Sequence, residues 1–124
     1  MEQILAHLVG DYVLQSSYMA LHKTRRWSVA WLHATFYTVP FLFITQAPAA
    51  LAVILGTHAV IDRYRLARYI STARNMLGDP AHWRQYRTAN GYSATTPAWL
   101  ATWLEIVIDN TLHLTINYFS IKYL

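Results

Sequence analysis

The sequence predicts an all-α fold: a four-helix polytopic membrane bundle with a buried His/Asp cluster. Three observations lead there. Hydrophobic residues make up 55% of the 124 positions and charged residues only 13%, against about 25% charged in ordinary soluble domains. The apolar residues gather into four long stretches separated by polar or proline-containing segments. The cations sort by segment instead of scattering. A soluble helical bundle with aromatic core packing is the competing reading, and a mean hydropathy of only +0.19 keeps it open. A chain of this length forms a single domain, residues 1–124. It has no cysteine, which excludes disulfides and thiolate metal sites.

Taken in order, the first helical segment covers roughly residues 3–21, "QILAHLVGDYVLQSSYMAL". It lacks the basic start and small-residue cleavage site of a signal peptide, so it belongs to the fold. The second covers roughly 27–45, with Pro40 as the expected kink. The third runs from about 48 to 70 around the apolar core "PAALAVILGTHAVI". The fourth starts after Thr96–Pro97, a good N-cap and first-turn pair, and continues to about 122. Segments two and four reach the ~20 residues that cross a bilayer.

Charge then sets a topology. Residues 22–26 and 63–95 hold nine of the ten cations. The positive-inside rule places both segments in the cytoplasm and both termini outside it, in a bacterial inner membrane. Trp27, Trp31, Trp99 and Trp103 then mark the cytoplasmic interface, with Tyr118 and Tyr123 at the opposite one. The 71–95 connection is a cytoplasmic basic loop between the third and fourth helices. It reads either as a solvated loop lying on anionic headgroups or as a lid that grips an anionic substrate. A basic chain can also bind nucleic acid, but this segment-wise sorting does not call for it, and no nucleic-acid partner is expected.

The chemistry sits in the apolar stretches. His7 and Asp11, then His58 and Asp62, then Asp109 and His113, are pairs four residues apart. That spacing puts both members of a pair on one helix face. His33 supplies a ligand from the second segment, and Glu105 lies one turn before Asp109. An ionisable residue at the centre of a spanning helix costs about 2.5–3.5 kcal/mol. Such groups must therefore turn inward and be compensated. A divalent metal, one ion or two, compensates imidazole and carboxylate well. Zn, Mn and Fe fit these donors, and the lack of sulfur argues against copper(I). An inter-helix polar network and a proton or cation relay remain open beside it. Gly10 and Gly56 are read as points of close helix contact.

The motifs resemble a known family, domain of unknown function 3307, small membrane proteins of bacteria and their phages. Its opening His-x-x-x-Asp-Phe-x-x-Gln pattern, followed by a Lys, is similar to "HLVGDYVLQ" and Lys23. A family His corresponds to His33. Its His-x-x-x-Asp-x-x-Lys pattern is similar to "HAVIDRYR", with Arg65 in place of Lys. Its closing Asp-Gln-x-x-His is similar to "DNTLH", with Asn110 in place of Gln. The pattern also looks like that of membrane-bound metal-dependent hydrolases.

The function expected is thus that of a small integral membrane protein with an intramembrane metal site. Its metal ligands are His7, Asp11, His33, His58, Asp62, Asp109 and His113. As a metal-dependent hydrolase it acts on a lipid-like or phosphoester substrate, with Glu105 as catalytic base and Arg84 or Arg87 on an anionic headgroup. The alternative is a non-enzymatic phage-type membrane protein that binds a host membrane partner, its cluster purely structural. Membrane lipid is the expected partner in either case, with self-association left open.

Overall fold

A computed structural model describes residues 1–124, and the chain is helical with no strand. Six α-helices follow in order: α1 (Glu2–Leu8), α2 (Ser17–His22), α3 (Trp27–Thr38), α4 (Pro48–Tyr64), α5 (Leu66–Gly78) and α6 (Ala98–Tyr123). A π-helical segment, Val9–Val13, continues α1, and short 3-10 segments cover Val39–Phe43 and Pro80–Tyr86. The chain divides into two compact units. The first contains Met1–Tyr64 and His113–Leu124, and the second contains Arg65–Leu112.

The all-α expectation holds, but the four-helix polytopic membrane bundle does not. No helix is long and apolar enough to cross a membrane. The reasons are local. The first stretch divides: α1 ends at Leu8, the π segment at Val13, and α2 begins anew at Ser17 with the Ser16 hydroxyl accepting from Met19 N–H at 3.3 Å. In the second, Pro40 has no N–H to give, and the 12-residue α3 tightens to 3-10 geometry. The third stops at Arg65, whose φ of +51° breaks what had been expected as one helix to residue 70. At 26 residues α6 is about 39 Å long. It fails on polarity instead, since Glu105, Asp109, Asn110, His113 and Asn117 interrupt its apolar run. The same finding overturns the integral-membrane function and the inner-membrane location with outward termini.

In the first unit, Ala6, Tyr37, Phe41 and Ile54 form the buried apolar centre, with Ile44, Leu51 and Ile121 packed around it. Helices α3 and α4 lie against each other. The alanines at 30, 34, 50 and 59 on these helices are fully buried, and their small side chains allow close backbone approach. The π segment is pressed equally close. A Cβ added at Gly10 would stand 2.7 Å from the Tyr37 carbonyl oxygen and 2.9 Å from its ring. At Gly56, by contrast, an added Cβ meets nothing within 4 Å, so only Gly10 fulfils the close-contact expectation.

In the second unit, the stretch 71–95 contains the end of α5 and the 3-10 turn. Asp79 accepts from Gln85 at 3.0 Å and from the Tyr86 hydroxyl at 2.9 Å. Gly91, at φ +80°, lies against Thr72, and its carbonyl accepts from Asn75 Nδ2 at 2.8 Å. Arg84 and Arg87 both stack near the Trp83 ring, at 5.5 and 5.7 Å.

Candidate metal centre

Four elements of the first unit deliver polar side chains to one buried place. The π segment supplies Asp11, α3 supplies His33, α4 supplies His58 and Asp62, and the C-terminal part of α6 supplies His113. His33 and His58 have no exposed surface, and Asp11 and Asp62 have 5% each. The π turn matters for the first of these. Its backbone bond runs from Leu14 N–H to Val9 C=O at 2.9 Å, a five-residue reach. The widened turn carries Asp11 into the interior while Tyr12 and Val13 stay exposed.

One imidazole or carboxylate atom from each of Asp11, His33, His58 and Asp62 lies within 4.8 Å of the other three. His33 Nε2 is 3.2 Å from both Asp11 Oδ1 and Asp62 Oδ2. His58 Nε2 is 3.2 Å from Asp62 Oδ2 and 3.9 Å from Asp11 Oδ1. Ligand atoms at the usual metal distance of about 2.0–2.1 Å in tetrahedral array stand about 3.4 Å apart. Three of these separations are close to that spacing, and this cluster could hold a metal ion.

Hydrogen bonding leaves room for one. His33 Nε2 bonds Asp11 Oδ1, whereas His58 Nε2 and His33 Nδ1 have no aligned hydrogen-bond partner. Buried polar atoms are normally satisfied. Here Asp62 Oδ2 is met by the Lys23 ammonium at 2.8 Å, and His58 Nε2 faces the same oxygen at 3.2 Å.

A second layer sets the rings. The Tyr37 ring stacks on His58, with centroids 3.6 Å apart and planes 12° apart. Tyr37 Oη accepts from Asn117 Nδ2 at 2.6 Å and bonds His7 Nδ1 at 2.9 Å. On the other side of the His7 ring, Nε2 lies 4.0 Å from Asp11 Oδ2. His113 bonds His58 through the two Nδ1 atoms at 3.2 Å and brings Nε2 to 3.6 Å from Asp62 Oδ1. Lys23, from the turn after α2, closes the group. Its Nζ is 2.8 Å from Asp62 Oδ2 and 3.9 Å from Asp11 Oδ1.

The electrostatics follow from burial and neighbours. Burial pushes His58 down to about 4, and the two aspartates only partly offset it, so its imidazole is neutral at pH 7. Burial alone would raise Asp62. The neighbouring His58, His113 and His33 rings outweigh it and hold the carboxyl well below its ordinary value. Asp11 is likewise lowered, its burial outweighed by His33, His58 and Lys23. For His33, burial is outweighed by the bonds to Asp11 and Asp62, and its pKa is raised. At neutral pH the site thus presents two carboxylates and a neutral His58 imidazole.

Of the residues named from sequence, His7, Asp11, His33, His58, Asp62 and His113 meet in this unit. Glu105 and Asp109 belong to the second unit, where Glu105 pairs with Arg65 Nη2 at 2.6 Å. Sequence reasoning passed over Tyr37 and Asn117, and it found Lys23 as a loop cation and as the Lys of the family pattern but did not place it against the aspartates. Tyr37 follows His33 by four residues, and Asn117 follows His113 by four. The one-turn spacing that singled out the His/Asp pairs would have found both.

Residues 1–118 match the family described as Protein of unknown function (DUF3307). The chain belongs to that family, as its motifs had suggested. Among curated proteins and solved structures, none matches.

Proposed function

We propose that this protein binds a divalent metal ion through Asp11, His33, His58 and Asp62. The observation that carries the reading is the pairing of His58 Nε2 with Asp62 Oδ2. These buried atoms are 3.2 Å apart, at the separation of two ligands on one ion. Two imidazoles and two carboxylates suit Zn, Mn or Fe. His7, Tyr37, His113 and Asn117 would act behind the ligands, fixing ring planes and proton positions, as outer-shell partners do in metal sites. An ion held this way supplies Lewis acidity to a further oxygen ligand.

Metal analysis after dialysis tests the reading. One ion per chain is expected, with retention lost in Asp62→Asn and in His58→Ala. A chelator should lower the melting temperature of the wild-type protein and leave that of Asp62→Asn unchanged. Metal-free protein whose melting temperature responds neither to added Zn, Mn and Fe nor to chelator contradicts it.

A further inference from the structure

Lys23 stands where an ion would have to go. Its Nζ lies 2.8 Å from Asp62 Oδ2, 3.3 Å from His33 Nε2 and 3.9 Å from Asp11 Oδ1. It thus touches three of the four donor atoms a metal would use. Its side chain is 17% exposed, against 7% and 3% for the two carboxylates and none for His33 and His58. The ammonium therefore marks the solvent side of the cluster.

The way Lys23 is mounted differs from that of the ligands. They sit within helical elements packed into the unit, whereas Lys23 follows the short α2 in the 22–26 turn. That turn is pinned beside the site. Arg63, next to Asp62 in sequence, donates from Nη1 to the Thr24 carbonyl at 2.6 Å and lies over the Trp27 ring at 5.6 Å. With its backbone held, Lys23 can leave the cluster only by rotating its flexible four-carbon stem. No helix need move.

We propose that Lys23 is a tethered cation that neutralises the cluster without metal and must swing out before a divalent ion can bind. The proposal rests on the metal reading above. It is a competition between two cations for the same lone pairs. The ion pair keeps two buried carboxylates compensated while no ion is bound. It also lowers apparent metal affinity by the fraction of molecules in which Lys23 is docked.

Zn2+ binding to the full chain, measured by competition with a chromophoric chelator, tests this in wild type and Lys23→Met. The variant should bind Zn2+ at least tenfold more tightly, and without metal it should melt at a lower temperature. A second measurement needs no variant. The chain has two lysines, Lys23 and Lys122, and Lys122 is exposed. Acetylation read by mass spectrometry should accelerate at Lys23 when Zn2+ is added, with Lys122 as internal reference. If Zn2+ binds but Lys23→Met binds no more tightly, or the Lys23 to Lys122 rate ratio does not rise, the competition is overturned and the metal site stands. If Lys23→Met does not fold, the acetylation ratio alone decides. If the wild-type protein binds no Zn2+, Mn2+ or Fe2+, both fall together.

Discussion

Asp62 faces four cationic or potentially cationic side chains: Lys23, His33, His58 and His113. Removing one partner of a buried charge group leaves the others uncompensated, at a cost of about 3–5 kcal/mol. Asp62→Asn should therefore lose about that much stability in metal-free protein, measured by urea unfolding. His58 makes a pH prediction. Its native pKa, about 4, lies below an unfolded value of about 6.5. Between those values the unfolded chain takes up a proton that the native site refuses, so stability falls as pH drops from about 6.5 to 4. The full loss is about 3 kcal/mol. Below that range the lowered Asp62 and Asp11 carboxylates add to it, since their contribution is present above the unfolded value and lost as pH falls through the folded one. His33, being raised, acts in the opposite sense: its contribution is present below about 6.5 and lost as pH rises through its folded value. Urea midpoints across pH 4–7 should show a downward slope toward acid that is shallower in His58→Gln. Equal slopes in the two proteins would contradict the assignment.

The element scale shows why some of the molecule was legible in sequence and some was not. Spacing of four found the His/Asp pairs because α4 is a regular helix through His58 and Asp62. The same spacing gave no sign that the His7–Asp11 turn would widen into π geometry, or that Arg65 would take a left-handed conformation. Both are backbone choices decided by packing rather than by residue type. Glycine was legible only in part. Gly10 and Gly56 look alike in sequence, yet Gly10 abuts the Tyr37 backbone and Gly56 abuts nothing. Gly10→Ala should push the π segment off α3 and cost about 1–3 kcal/mol. Gly56→Ala, inside α4, should stabilise by about 0.5–1 kcal/mol through helix propensity alone. Thermal melts of the two variants should move in opposite directions, and a shift in the same direction would count against this packing.

Across the whole molecule, low charge content and clustered cations were read as signs of a bilayer, and the helices do not fit that reading. Composition counts apolar residues without saying whether they fall in one unbroken helix. Here Pro40, Arg65 and the break at 14–16 divide the apolar stretches, and polar groups dilute α6. The polar residues were the better guide. A chain that buries His7, Asp11, His33, His58, Asp62 and His113 together must compensate them, by Lys23 alone or by a metal. Crystals of the metal-loaded protein, measured on both sides of the metal absorption edge, put the central claim to its most direct test. An anomalous peak about 2.0–2.2 Å from both His58 Nε2 and Asp62 Oδ2 is the expected result. Lys23 Nζ remaining in contact with Asp62, with no anomalous density among the four ligands, would contradict it.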